Sequence, residues 1–169
     1  MRRPVDHLLR LVQSFFTDYL ERVRGASPHT ITAYRDALRL FFLFLADATG
    51  RPVSGLRLRD LTATQVMAFL DHLELQRSNT PTTRNCRLAA VRSFCQHLVR
   101  QDPTRAAQYQ QILSLPSKKA RRGVINYLEP EEIRVLLRQP DRRTPLGQRD
   151  FGLLLFLYNT GARVSEALG

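Results

Sequence analysis

A short segment near the carboxyl end of the chain combines a glycine, an arginine and a glutamate at a spacing that suits phosphate chemistry. It reads Asn159-Thr160-Gly161-Ala162-Arg163-Val164-Ser165-Glu166. A guanidinium donates hydrogen bonds to two phosphate oxygens at once and neutralises the charge that develops in a transition state. Gly161 follows an apolar stretch and permits a sharp turn, which places Arg163 at the start of the next helix beside anion-favouring peptide N–H groups. The same spacing also suits a purely structural ion pair between Arg163 and Glu166, and the residues alone leave both interpretations open.

Basic residues outnumber acidic ones by a wide margin. The chain has 169 residues, and its 26 lysines and arginines against 15 aspartates and glutamates give a formal net charge of +11. A positive excess of this size in a small chain favours a polyanionic partner such as DNA or RNA. Lys118 and Lys119 are the only lysines, so nearly every basic residue presents the planar fork that matches phosphate. On charge alone, a basic protein without a specific nucleic-acid site remains the alternative.

The cysteines and the apolar runs argue against a disulfide-bonded, metal-binding, membrane-spanning or secreted protein. Cys86 and Cys95 are nine residues apart on a predicted helix, which places them on nearly opposite faces and argues against a disulfide or a shared metal site. No apolar stretch reaches the roughly 18 residues that span a membrane, and the start of the chain is not typical of a secretory signal. We therefore expect a cytoplasmic protein with no membrane partner, no metal and no other cofactor.

The first two thirds of the sequence predict a bundle of four main helices, because apolar residues recur there at helical spacing. The predicted helices run from about Leu8 to Val23, from His29 or Thr30 to Ala48, from just after Thr62, and from Pro81 to about Arg100, with a shorter one at about Thr104 to Leu113. Thr30 is the predicted N-cap of the second helix and Gly50 its C-terminal stop. Thr62 and Gln65 have the spacing of a capping box at the start of the third.

A cationic segment then separates this bundle from a second region. Residues 116–123 contain both lysines and two arginines between a proline and a glycine, which is typical of an interdomain linker. A basic surface loop within one domain is the alternative. Beyond it, a short extended piece is predicted over Val124 to Leu128, then helices from about Glu129 to Pro140, from Asp150 to Tyr158 and from Arg163 onward. The predicted division is 1–115, 116–123 and 124–169.

Four segments, in this order, resemble the phage integrase family of tyrosine site-specific DNA recombinases. The last of them is similar to the first active-site box of that family, which reads approximately Thr-Gly-x-Arg-x-Ser-Glu. The segments are Ser27–Leu38 and Arg87–Phe94, which resemble the core-binding domain, and Leu128–Ile133 and Leu157–Leu168, which resemble the catalytic domain. The resemblance therefore extends over nearly the whole chain.

The resemblance implies an all-α fold, with a four-helix (SAM-like) core-binding bundle followed by the truncated, mainly helical start of a catalytic domain. It implies a role in DNA integration and recombination, with Arg163 as the catalytic phosphate ligand, and with Gly161 and Glu166 supporting that arginine. In the family the nucleophilic tyrosine, a lysine and a His-x-x-Arg box all follow this arginine. The tyrosines of this chain all precede it: Tyr19, Tyr34, Tyr109, Tyr127 and Tyr158. We therefore expect this chain alone to be inactive.

The partner implied is duplex DNA carrying a recombination site, with self-association on DNA in a full-length protein. The expected DNA contacts are basic residues on helical polar faces and in the linker. They are Arg35, Arg39, Arg84, Arg87, Arg92, Lys118, Lys119, Arg121 and Arg122.

Two other functions remain open from the sequence. One is a non-catalytic DNA-binding protein that occupies recombination sites, and the other is an all-helical protein-interaction module. Salt-dependent DNA binding would separate the second of these from the rest. The four histidines are expected at surface or partly buried positions, and His97 in particular needs either exposure or a polar partner.

Overall fold

Every regular element is helical in the part of the chain that the structure, a computed structural model, describes: residues 7–120 and 127–168. The chain divides into two compact units, Met1–Arg121 and Arg122–Gly169. The boundary between the units falls inside the cationic segment, which contains few apolar side chains that could join a core. Within the described residues, no helix combines the length and apolar character needed to cross a membrane.

The first unit contains the four main helices that the apolar spacing predicts. Its helices are α1 (His7–Ser14), a π-helical continuation (Phe15–Val23), α2 (Pro28–Thr49), α3 (Ala63–Leu75), α4 (Pro81–Gln101) and α5 (Ala106–Leu113). Single 3₁₀ turns occupy Val53–Gly55, Leu58–Asp60 and Pro103–Arg105. The buried residues of the π-helical continuation, Phe15 and Leu20, are five residues apart, a spacing that fits its i→i+5 geometry.

Hydroxyl side chains determine where the long helices begin. The prediction of Thr30 as the N-cap of α2 is wrong: Ser27 is the N-cap, and its Oγ accepts a hydrogen bond from the Thr30 N–H at 3.3 Å. Pro28 explains the earlier start, since proline suits the first position of a helix. Gly50 ends α2 in the left-handed conformation at φ 63°, as predicted. At α3, the Thr62 side chain accepts from the Gln65 N–H at 3.2 Å.

The core of the first unit lies around α2 and α4, which cross each other at its centre. The apolar residues at helical spacing on α4 are all buried: Leu88, Val91, Phe94, Cys95 and Leu98. Rings from three helices meet between them, with Phe41 of α2 centred 5.2 Å from Phe69 of α3. Burial raises the pKa of the Cys95 thiol to about 12, so this cysteine is a small apolar core residue, as expected from the sequence.

His97 departs from the expectation of a surface or partly buried position. Only 3% of the residue is exposed, and its Nε2 lies 2.9 Å from the Ser14 Oγ on the last turn of α1. The imidazole also lies among aromatic rings, 5.7 Å from the Phe15 centroid and 5.5 Å from that of Tyr19. The polar partner that a buried histidine needs is therefore supplied by a serine 83 residues earlier in the chain.

Acidification is expected to weaken the first unit through His97. Burial, with a smaller contribution from the nearby Arg100, lowers the pKa of His97 below its ordinary value of 6.5. The unfolded chain then binds the proton first as pH falls, so stability decreases from about pH 6.5 downward until the folded pKa is reached. Thermal unfolding as a function of pH measures this. His97→Gln keeps a hydrogen-bonding group for Ser14 but cannot titrate, so its stability should decrease less as the pH falls. An identical pH profile in both proteins would exclude His97 as the source.

The second unit consists of three helices: α6 (Pro130–Leu137), α7 (Pro145–Thr160) and α8 (Val164–Ala167). The start predicted for α7 at Asp150 is wrong, because Thr144 caps the helix earlier, with its Oγ1 accepting from the Gly147 N–H at 3.0 Å. The helix α6 ends at Leu137 and does not continue to Pro140. The predicted extended piece over Val124 to Leu128 lies mostly outside the described residues. Several large apolar side chains of this unit are exposed, namely Leu128, Val135, Leu136, Leu146, Phe156, Tyr158, Val164 and Leu168.

Candidate nucleic-acid interface

Arg84, the first of the predicted DNA contacts on α4, is enclosed by protein. Its side chain is 6% exposed, and its Nε lies 3.5 Å from Oε2 of Glu74, which is itself 19% exposed. The expectation that Arg84 lies on an open polar face therefore does not match the structure. Arg84 is one helical turn before the buried Leu88, so it points inward with the core stripe. The carboxylate of Glu74, on α3, compensates for the buried charge.

Arg87 and Arg92 are half-buried on α4 and retain most of their hydrogen-bonding capacity. The Nη1 of Arg87 donates to the Ala33 carbonyl on α2 at 3.5 Å, a long contact. The Nη1 of Arg92 donates to the Ser117 Oγ at 3.3 Å. Neither guanidinium pairs with a carboxylate among the described residues. Each has at most one weak protein acceptor for its five donors, which leaves its outward edge able to bind an anion.

Arg35 and Arg39 form a separate group on the side of α2 that faces α1. Both side chains are exposed and border an apolar groove of about 240 Å³, whose floor includes Phe16 and Phe42. The Arg35 guanidinium lies 5.9 Å from the centroid of the Phe16 ring, which orients its plane on an aromatic surface. Arg35 and Arg39 are four residues apart on α2 and therefore share one face of that helix.

The two lysines of the cationic segment differ from each other. The Nζ of Lys118 lies 2.9 Å from Oε1 of Glu74 and 3.1 Å from Oε2, so it pairs with the same carboxylate that faces Arg84. Lys119 is exposed and makes no ion pair within residues 7–120 and 127–168. The predicted contacts Arg121 and Arg122 lie outside the described residues.

The segment around Arg163 has the turn that the glycine predicts. Gly161 ends α7 at φ 63° with its N–H donated to the Leu157 carbonyl, and Arg163 becomes the N-cap of α8. Glu166 accepts twice from Arg163, from its backbone N–H at 2.8 Å and from Nη1 at 3.1 Å. The structural ion pair of the two sequence-based interpretations is therefore present. The Arg163 side chain is still 83% exposed, so the remaining guanidinium nitrogens can bind phosphate oxygens while Glu166 fixes one edge.

Sequence reasoning missed two residues that organise this region, Glu74 and Asn85. Glu74 binds both Arg84 and Lys118, while Asn85 contacts the backbone of Lys118, 33 residues away. Arg84 did carry a usable signal, since it precedes Leu88 by four residues and Val91 by seven and so shares their stripe. No pattern in the sequence indicates which carboxylate or amide meets a side chain from another element.

Comparison with known proteins identifies a family whose model matches more than half of this chain. Residues 14–102 match the family model described as "Phage integrase, N-terminal SAM-like domain". The match covers the π-helical continuation and helices α2, α3 and α4, with the arginines and Glu74 that they carry. A comparison with the solved structures found no match.

Relatives among curated proteins are longer than this chain. The chain is 45% identical over 166 residues to the Sinorhizobium fredii protein y4rD, described as an integrase/recombinase, covering 97% of this chain and 59% of that protein. It is 40% identical to y4rC of the same species, over 96% of this chain and 49% of that protein. It is 31% identical to the tyrosine recombinase XerC of Caldanaerobacter subterraneus, over 89% of this chain and 45% of that protein. The chain thus spans about half the length of these relatives.

Proposed function

The chain belongs to the phage integrase family of tyrosine recombinases, and on that premise we propose that its first unit holds duplex DNA as the core-binding domain of a recombinase. The second unit is then the beginning of the catalytic domain, and the segment between them is the interdomain linker. The full-length protein acts in DNA integration or recombination and assembles on its DNA site with further copies of itself. The proposal places the protein in the cytoplasm, because its substrate is the DNA of the cell.

The observation that carries this proposal is the uneven pairing of the basic residues. Arg51, Arg84 and Lys118 each pair with a carboxylate of the first unit. Five of the residues expected to bind DNA have no such partner in the described part of the chain, and they are Arg35, Arg39, Arg87, Arg92 and Lys119. Uncompensated guanidinium groups on a rigid helical surface attract the phosphate backbone and release its counterions on binding.

The proposal assigns different roles to the predicted contacts. Arg87, Arg92 and Lys119 are phosphate ligands near the linker, and Arg35 and Arg39 form a second group of ligands beside the aromatic groove. Arg84 and Lys118 support this surface, since both pair with Glu74. Arg121 and Arg122 complete the set as linker contacts. Phosphate contacts of this kind position a protein on DNA, and they carry no sequence information by themselves.

Arg163 is the phosphate ligand of the second unit under the same proposal. Its exposed guanidinium would neutralise the scissile phosphate as negative charge develops on the phosphate oxygens. Gly161 and Glu166 would then be positioning residues, the first through the turn and the second through its two hydrogen bonds to Arg163. Neither group would touch the reacting atoms.

Binding to duplex DNA is expected to weaken steeply with salt. If about six phosphates are contacted, the logarithm of the association constant should fall against the logarithm of salt concentration with a slope near −5. Fluorescence anisotropy of a labelled duplex, titrated at several salt concentrations, measures that slope. Arg87→Ala should make it less steep by about 0.9, since one phosphate contact is removed. A slope close to zero would instead favour the interaction module, for which the positive charge has no DNA-binding role.

A further inference from the structure

The beginning of the linker is bound to the surface of the first unit. The side-chain amide of Asn85, on the second turn of α4, makes two hydrogen bonds to the backbone of Lys118. Its Nδ2 donates to the Lys118 carbonyl at 2.7 Å, and its Oδ1 accepts from the Lys118 N–H at 2.9 Å. A carboxamide carries a donor and an acceptor side by side, so it satisfies both polar groups of one extended residue. Such a contact fixes the path of the chain whatever its side chains are.

Two further side chains hold the same stretch. Glu74 of α3 accepts from the Lys118 Nζ with both carboxylate oxygens, at 2.9 and 3.1 Å. Arg92, two turns after Asn85 on α4, donates to the Ser117 Oγ at 3.3 Å. Two successive linker residues therefore receive five hydrogen bonds from two helices. The helices that supply these contacts belong to the packed bundle of the first unit, so this end of the linker is attached to the bundle.

We propose that Asn85 is a positioning residue that anchors the linker to the first unit at Lys118. Lys118 is in consequence an anchor whose charge stays with Glu74, and it does not serve as a phosphate ligand. This anchor is a property of the free protein. Its benefit to DNA affinity rests on the proposed function: anchoring the linker at Lys118 shortens the connection between the units, which raises the effective concentration of the second unit once the first is bound.

The anchor is tested first without DNA, in the full 169-residue chain. Asn85→Ala removes both hydrogen bonds, and the exchange of the Lys118 amide proton, followed by NMR, should become about tenfold faster. The matched control is Gln96→Ala, which removes a side-chain amide from the same helix at an exposed position with no hydrogen bond among the described residues. Exchange at Lys118 should be unchanged in that variant. Equal exchange rates in the wild type and Asn85→Ala would overturn the anchor, whether or not the protein binds DNA.

The second test separates an anchor from a phosphate contact. Lys118→Met and Lys119→Met make the same change at neighbouring positions, and the salt dependence of duplex binding is measured for each. Lys119→Met should reduce the slope by about 0.9, whereas Lys118→Met should lower affinity while leaving the slope unchanged. Asn85→Ala should behave like Lys118→Met, with affinity lowered about threefold through the looser connection. A reduced slope for Lys118→Met would overturn the assignment of this lysine as an anchor. Failure of the wild type to bind any duplex would overturn the proposed function instead, and the exchange experiment would still decide the anchor.

Discussion

Glu74→Leu is expected to lower the free energy of unfolding of the first unit by about 3 kcal/mol. The substitution leaves the guanidinium of Arg84 enclosed, with its side chain 6% exposed and without its carboxylate partner. An uncompensated charge in such a position loses its hydration without gaining an ion pair that offsets the loss. Lys118, which is about half exposed, loses the same partner but returns to water at little cost. The loss therefore reports mainly on Arg84, and urea unfolding followed by circular dichroism measures it.

Two further variants make this result specific. Asp71 is an exposed acid on the same helix, and no ion pair to it exists among the described residues, so Asp71→Leu should change stability by less than about 0.5 kcal/mol. Combining Glu74→Leu with Arg84→Met replaces the ion pair by apolar side chains of similar size and should recover most of the loss. If Glu74→Leu is no more destabilising than Asp71→Leu, the charge of Arg84 does not depend on Glu74 for compensation, and the prediction is wrong.

The helical bundle could be predicted from the sequence, because the helices depend on local features such as apolar spacing and N-cap or C-cap residues. The spacing of Leu88, Val91 and Leu98 allows only one buried face for α4, and that face is the one observed. The stop at Gly50 likewise follows from one residue's tolerance of positive φ. The start of α2 was misplaced because Ser27 and Thr30 are both good N-caps, and only Pro28 between them favours the earlier one.

The candidate nucleic-acid interface was harder to predict from the sequence, because the contacts that decide which basic residues are paired join distant parts of the chain. Asn85 and Arg92 are seven residues apart and so share one flank of α4, but nothing in the sequence indicates that residues 117 and 118 return to that flank. Whether a given arginine is free or paired depends on which carboxylate packs beside it, and Glu74 comes from another helix. His97 illustrates the same point: its partner Ser14 lies 83 residues earlier, and no periodicity connects them.

The 169-residue chain alone is expected to form no covalent bond with DNA. Strand cleavage by this family's route requires a tyrosine hydroxyl in line with the scissile phosphate and an acid that protonates the leaving oxygen. The family's nucleophile follows the box that contains Arg163, and every tyrosine here precedes that box. In the proposed role, Arg163 would supply charge stabilisation only. The rate of cleavage should therefore be at background, even with saturating DNA.

The structure gives reasons why the existing tyrosines do not substitute for that nucleophile. Tyr109 is fully buried, and burial, with the nearby Asp102 carboxylate, raises its pKa to about 12, which disfavours the phenolate. Tyr19 and Tyr34 pack against the core of the first unit. Tyr127 and Tyr158 are the most exposed of the five, at 76% and 55%. Within residues 127–168, neither hydroxyl makes a side-chain hydrogen bond, so no general base lies in contact with it there.

A nicked suicide duplex tests this expectation, because loss of the short cleaved strand traps any phosphotyrosine intermediate. Denaturing electrophoresis should show free protein only, under conditions where anisotropy shows the same duplex to be bound. Tyr127→Phe and Tyr158→Phe serve as matched variants at the two exposed positions. A slower-migrating adduct that disappears in one of them would identify an unexpected nucleophile and contradict the prediction. Retained DNA binding without an adduct is the result that an arginine acting alone requires, since a guanidinium can stabilise the transition state of phosphoryl transfer but cannot become one of its reacting partners.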